Sequence, residues 1–132
     1  MTFTDLGLDA RLVSRLEGLG LTAPTPIQTK AIPHALAGRD VLGIAQTGTG
    51  KTAAFGLPLV VALSAERGRP APRSARGLVL APTRELAAQI VATLEGVSER
   101  LSITLVVGGR SLNAQAGRLA RGTDILVATP GR

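Results

Sequence analysis

Leu8, Leu12, Leu16 and Leu19 recur at helical spacing through an otherwise polar stretch, and Asp9 stands where such a helix needs an acceptor for its first amides. Gly18 and Gly20 close that segment. A second short helix is predicted from Pro26 to about Ala37, stopped near Gly38. Pro33 breaks or kinks it in this reading, because proline lacks the amide donor and its ring collides with the preceding turn. The pattern then changes to short apolar runs alternating with helical stretches. The runs Val41–Ala45, Leu78–Ala81, Ile103–Val107 and Ile125–Ala128 are rich in branched residues and bounded by glycine, proline or charge, which predicts strands. Lys51 to about Ala65, Arg84 to about Arg100 and Leu112 to about Arg121 read as the intervening helices.

Strands that are apolar almost throughout, each followed by a helix, predict a parallel sheet covered by helices on both faces. The expected fold is therefore a doubly wound α/β domain spanning 39–132, preceded by a segment of two short helices at 1–38. The 132 residues suit about one domain, and an apolar fraction of 45% supports a packed core. Glu66 to Arg76 (ERGRPAPRSAR) reads as a solvated connection between the first crossover helix and the second strand.

Charge and chemistry narrow the picture. Fifteen basic residues against nine acidic give a net charge of +6, and Lys30 and Lys51 are the only lysines, so arginine carries most of the positive charge. An anionic partner is consistent with this balance but not identified by it. The absence of cysteine excludes a disulfide framework, a thiol nucleophile and a thiolate metal site, and a single histidine, His34, excludes a histidine cluster. A reducing cytoplasm is the expected compartment. The longest apolar run, Leu57–Leu63, is far short of the ~20 residues of a membrane span, so no membrane association is expected.

The stretch Ile44-Ala-Gln-Thr-Gly-Thr-Gly-Lys-Thr52 has the order needed to hold phosphate: a buried strand, a loop with Gly48 and Gly50, and a helix opened by Lys51 and Thr52. Glycines let successive backbone amides turn inward, and the helix N-terminus adds partial positive charge. Gln46, Thr47, Gly48, Thr49, Gly50, Lys51 and Thr52 would then cradle a polyphosphate, with Lys51 on the β- and γ-phosphates and the Thr52 hydroxyl on Mg²⁺. A glycine-rich turn before a helix can also be a plain tight connection. Upstream, Thr25 suits an N-cap, Pro26 the first helical position, and Gln28 the reciprocal half of a capping box.

Taken together these motifs resemble those of the DEAD-box ATP-dependent RNA helicases, and the resemblance covers almost the whole chain. In that family the phosphate loop typically reads A-x-T-G-x-G-K-T, so Ala45 fits where a strict phosphate-loop pattern would have glycine. Pro24-Thr-Pro-Ile-Gln28 resembles the family's adenine-recognising Q motif, which implies Gln28 on the adenine edge, Phe3 as an upstream stacking face and Thr25 in the same motif. Leu21 departs from the aromatic often found after Gly20. Pro82-Thr-Arg-Glu-Leu86 resembles motif Ia, Gly108-Gly109 the GG element, and Thr129-Pro-Gly-Arg132 motif Ib.

The resemblance implies a RecA-like domain of the P-loop NTPase fold, ATP and Mg²⁺ as cofactors, and RNA as partner. Pro82, Thr83, Arg84, Gly108, Gly109, Thr129, Pro130, Gly131 and Arg132 would grip the sugar-phosphate backbone without reading bases. The style of the loops around Gly38-Arg-Asp40 and the two motifs that follow looks most like the bacterial RhlE-type branch. Taken singly, each RNA motif also reads as an ordinary cap or turn. A different P-loop ATPase or kinase, and a non-catalytic RNA-binding module, are the competing readings.

Hydrolysis needs a carboxylate pair at strand ends, and the nine acids offer none, with Asp40 and Asp124 placed before their strands. The family's D-E-A-D strand and second RecA-like domain would follow Arg132. The expectation is therefore an N-terminal part of the first helicase domain, with Lys51 and Thr52 as its catalytic contribution. Alone it should be inactive in ATP turnover, bind nucleotide weakly if at all, and expose an unpaired strand edge.

Overall fold

The computed structural model describes every residue except 66, 67, 110 and 132. It resolves into two compact units, Met1–Ala62 and Leu63–Arg132. In the first, a short 3-10 turn at Thr4–Leu6 leads to α1 (Ala10–Gly18) and α2 (Pro26–Leu36). Asp9 caps α1 by accepting from the Leu12 amide at 2.8 Å. The end of α1 is closed by two reversed bonds, Leu21 N to Leu16 O at 2.8 Å and Gly20 N to Glu17 O at 3.0 Å, with Gly20 at φ 83°. Phe3, Leu6, Leu8, Leu12, Leu16, Ala31 and Ile32 are buried in this unit.

Two expectations fail in the first unit, each for a physical reason. Pro33 does not break α2, which runs through it to Leu36. The missing donor falls in the last turn, and the Pro33 carbonyl still accepts from Ala37 N at 3.1 Å. The strand expected at Val41–Ala45 does not form, and the chain from Arg39 to Gln46 has no regular structure. A strand exists only through a neighbour's hydrogen bonds, and among the described residues none pairs with this segment. Its apolar side chains are left in solvent, Leu42 at 88% exposure and Ile44 at 86%.

Helix α3 (Lys51–Ala65) leads into the second unit and continues through Pro58. There β1 (Ala75–Leu80), α4 (Arg84–Val97), β2 (Ile103–Val106), α5 (Leu112–Ala120) and β3 (Thr123–Ala128) follow in order. The strands form a parallel sheet in the order β1-β3-β2. α4 carries the chain from β1 past β3 to β2, and α5 brings it back to β3. Right-handed crossovers in opposite directions put the two helices on opposite faces of the sheet. The central strand is covered accordingly: Thr123, Asp124, Ile125, Val127 and Ala128 are all buried. The α/β class and the parallel sheet are those expected from sequence; cover on both faces is found for β3 but not for β1, where Leu78 and Leu80 are 60% and 62% exposed.

The strand boundaries differ from the sequence reading in an instructive way. β1 begins three residues early, taking in Arg76, and Asp124 lies inside β3 rather than before it. The parallel register sets Ala75 beside Thr123, which brings the next pair, Arg76 and Asp124, together. Arg76 Nη1 donates to Asp124 Oδ1 at 2.7 Å and Arg76 Nη2 to the Leu63 carbonyl at 2.6 Å. Ser102 donates its amide and hydroxyl to Asp124 Oδ2 at 2.9 and 3.2 Å. Burial opposes the charge on Asp124, but these donors outweigh it and hold the carboxyl below its ordinary range.

Candidate nucleotide and RNA sites

The phosphate loop of the first unit is closed on itself. Gly48 and Gly50 take φ 82° and 85°, a left-handed backbone that favours glycine. Thr49 Oγ1 donates to Gln46 O at 2.6 Å, and Lys51 Nζ donates to Ala45 O at 2.8 Å. The ammonium thus rests on the first carbonyl of its own loop. Gly50 O is the start of α3, accepting from Ala54 N at 3.1 Å. Thr52 is half-buried in the first turn, directly after Lys51.

Gln28 ties α2 to this loop. It is 3% exposed, accepts from Thr25 N through Oε1 at 3.0 Å, and donates through Nε2 to Gly50 O at 3.1 Å. The first of these is one half of the capping box expected for Gln28. The other half is present as a looser contact, with the Thr25 side chain facing the Gln28 backbone amide, and no bond to the buried Thr25 Oγ1 reaches full hydrogen-bond geometry. A Cβ on Gly50 would run into the Gln28 amide nitrogen and crowd Thr25 Oγ1, so glycine is required there by space as well as by φ. One Nε2 hydrogen and one Oε1 lone pair of Gln28 remain beyond these two bonds. Phe3, expected as a stacking face, is 2% exposed. In this structure it is a core residue without an open ring face.

The orphaned Thr25 hydroxyl, the left-handed glycines and the lysine at a helix N-terminus fit a phosphorylated ligand. For Mg²⁺ the fit is partial. Thr52 offers one hydroxyl, and among the described residues no three His, Cys, Asp or Glu side chains gather into a metal site. The ion would therefore arrive with its phosphate rather than be caged by protein.

In the second unit the parallel sheet sends β1, β2 and β3 out at the same edge. The three loops that follow, Pro82–Arg84, Gly108–Gly109 and Thr129–Gly131, start there together. Ala81 N donates to Ala128 O at 2.9 Å and Thr129 N to Val106 O at 3.2 Å, which pins their roots side by side. Pro82, Thr83, Arg84, Gly108, Thr129, Pro130 and Gly131 line one open groove of about 390 Å³, to which Glu85 adds an acidic group. Thr83 caps α4, accepting from Leu86 N at 3.2 Å. Arg84 Nη1 donates to Gly108 O at 3.3 Å, and its guanidinium occupies the place a Cβ on Gly109 would take. Arg132 lies outside the described residues.

Two groups escaped the sequence reading, one beside the groove and one at the opposite edge of the sheet. Gln115 is buried and donates through Nε2 to Val107 O at 2.9 Å, directly beneath Gly108. The Arg76–Asp124 pair had a usable signal, opposite charges just before two apolar runs; each is the second residue of its strand, and the parallel register sets them side by side. Gln115 had none, because a polar residue among alanines reads as a solvent face.

The sequence matches the family model described as DEAD/DEAH box helicase over residues 25–132. The ATP-dependent rRNA helicase rrp3 of Aspergillus terreus is 49% identical over 99% of this chain and 29% of its own length. The DEAD-box ATP-dependent RNA helicase CshA of Bacillus cereus is 46% identical over 99% of this chain and 24% of its own length. The crystal structure of the RNA-helicase Prp28 from Chaetomium thermophilum bound to ADP superposes with a TM-score of 0.89 at 44% identity, covering 99% of this chain and 32% of that one. The chain spans about a quarter to a third of the length of these relatives. Near-equal identity to fungal and bacterial proteins does not separate branches. Among the described residues, no helix is long and apolar enough to cross a membrane.

Proposed function

Because the chain belongs to the DEAD/DEAH box helicase family, we propose that it supplies the ATP-binding loop and part of the RNA grip of an ATP-dependent RNA helicase. The observation that carries the reading is the gathering of three separate loops into one groove at the C-terminal edge of a parallel sheet, where open α/β sheets bind ligands. Pro82, Thr83 and Arg84, Gly108 and Gly109, and Thr129, Pro130 and Gly131 would hold the sugar-phosphate backbone of one RNA strand through amides, hydroxyls and the guanidinium. Arg132 would extend the third loop. Such contacts carry no base identity, so binding is independent of sequence.

At the other site the amides of Gln46–Gly50 and Lys51 would take the phosphates of ATP, with Thr52 a ligand of Mg²⁺. The ion supplies neutralisation of phosphate charge. Lys51 has to leave the Ala45 carbonyl to reach phosphate, and the exchange is favourable because phosphate adds the attraction of opposite charges to the hydrogen bond. Gln28 would meet the adenine edge with its remaining donor and acceptor while keeping its bond to Gly50, and the unpaired Thr25 hydroxyl beside it supports a ligand there. The ADP bound in the Prp28 structure supports the same assignment. Closure onto a second RecA-like domain would couple nucleotide to unwinding of short duplexes, in a cytoplasmic setting.

Nucleotide selectivity tests the reading. Fluorescent ADP and GDP analogues are titrated against the protein, its Gln28→Ala variant and its Lys51→Ala variant. The expected outcome is adenine preference lost in the first variant and binding to both nucleotides lost in the second. Equal affinity for ADP and GDP in the unaltered protein would exclude it.

A further inference from the structure

Gly108 and Gly109 have no side chains with which to hold their own turn, and glycine is the residue with most backbone freedom to lose. Their placement has to come from outside. Arg84 supplies one hold, from the side, through the Gly108 carbonyl. The other lies beneath the loop: Gln115 Nε2 donates at 2.9 Å to the carbonyl of Val107, itself 1% exposed and the last residue before the glycines.

Helix α5 makes this bond unusual. Gln115 is its only buried residue, at 4% exposure, while Leu112 of the same helix is 60% exposed. A helix packed on a sheet ordinarily docks through aliphatic side chains. This one docks through an amide, so its position relative to the strand exit is fixed by a directional bond instead of by sliding apolar contact. Ser111 reinforces the geometry by capping α5 through the Ala114 amide at 3.2 Å.

We propose that Gln115 is a positioning residue for RNA binding: by holding Val107 O it sets where the Gly108–Gly109 turn presents its amides to a phosphate backbone. The inference rests on the RNA reading above. Gln115→Met keeps the length of the side chain and removes the donor. With fluorescein-labelled decauridylate read by anisotropy in the full-length protein, this variant is expected to bind about tenfold more weakly, the effect of one buried hydrogen bond. Its affinity for a fluorescent ADP analogue stays within about twofold, because nothing on the phosphate loop changes.

Val97→Ala is the control for loss of stability alone. It truncates a buried side chain at the far end of α4, about 20 Å along the helix from Arg84 at 1.5 Å per residue. It should leave decauridylate affinity unchanged. Unaltered protein that fails to bind decauridylate would sink the RNA reading, and the inference with it. Unaltered protein that binds while Gln115→Met binds equally well would overturn the inference alone, as would an equal loss in Val97→Ala. Should Gln115→Met fail to fold, the unaltered protein still decides: decauridylate must shift the Gln115 side-chain amide resonances together with the Gly108 and Gly109 backbone amides. Glycine amides that move while the Gln115 amide stays fixed would overturn it.

Discussion

Asp124→Asn isolates the buried charge network at the opposite edge of the sheet from the groove. The aspartate side chain is 9% exposed and its partner Arg76 17%, so both are largely removed from water. Asp124 accepts from Arg76 on one oxygen and from the amide and hydroxyl of Ser102 on the other. Asparagine has the same shape but one acceptor oxygen, so it can satisfy Arg76 or Ser102, never both. Its NH₂ then faces a donor. Losing the charged bond is worth about 1.5–3 kcal/mol and leaving the Ser102 amide unpaired about 1 more. The expected loss is about 3 kcal/mol, at the lower end of what breaking a buried pair costs. Against a total of about 5–15 kcal/mol for a domain, the effect is large.

The chain has no tryptophan or tyrosine, so far-UV circular dichroism in urea is the suitable readout. With a slope of about 1–3 kcal/mol/M, the midpoint should fall by about 1 to 3 M. Linkage adds a second check. The carboxyl is held below its ordinary range in the folded state, so its contribution is present above the unfolded value and is lost as pH falls through the folded one. The gap between parent and variant should be constant from neutral pH to about pH 5 and shrink under stronger acid. A midpoint shift corresponding to less than about 1 kcal/mol, or a gap that widens on acidification, refutes the reasoning.

Two further outcomes follow from the first unit. Gly50→Ala forces a side chain onto φ 85° and into the Gln28 amide. The strain of about 1–2 kcal/mol and the displaced Gln28 should abolish binding of a fluorescent ADP analogue while circular dichroism stays native-like, and retained affinity would show that the contact is dispensable. Leu42→Thr combined with Ile44→Thr removes two side chains that are 88% and 86% exposed, so stability should change by no more than about 0.5 kcal/mol. Static light scattering at rising concentration should report less self-association, because exposed apolar segments with unpaired backbone template aggregation.

The parts of the fold that sequence disclosed are those governed by local rules. Asp9, expected as the cap of α1, accepts from the amide three residues on, and the structure shows Thr83 before α4 and Ser111 before α5 obeying the same rule, as short polar side chains at helix starts do. The parts it missed depend on what lies across the fold. Arg76 and Asp124 looked like loop and boundary because charge inside a strand is unfavourable until the parallel register pairs one with the other. Val41–Ala45 carries a strand's composition, but composition cannot supply the neighbour whose hydrogen bonds make a strand. Phe3 shows the same limit from the other side, since aromatic character alone does not say whether a ring is to be a surface or a core.

The phosphate loop joins both kinds of information. Its residues were legible as a motif, yet the arrangement that bears on chemistry is how its carbonyls are occupied: Ala45 by Lys51, Gln46 by Thr49 and Gly50 by Gln28. Two of these bonds are internal to the loop, and the third comes from α2, 22 residues away in sequence. Lys51 can exchange its carbonyl for phosphate without moving the backbone, because the ammonium sits on a flexible stem. Gln28 has no such freedom: it is buried, fixed at its other end by the Thr25 amide, and packed where Gly50 leaves no room for a Cβ. A shift of Gly50 therefore has to move Gln28 or break its bond, which makes the start of α3 and the start of α2 one mechanical unit. Alanine at Gly50 tests that link from the loop side and alanine at Gln28 from the helix side. If the two positions act through one contact, their effects on nucleotide affinity must combine to less than their sum.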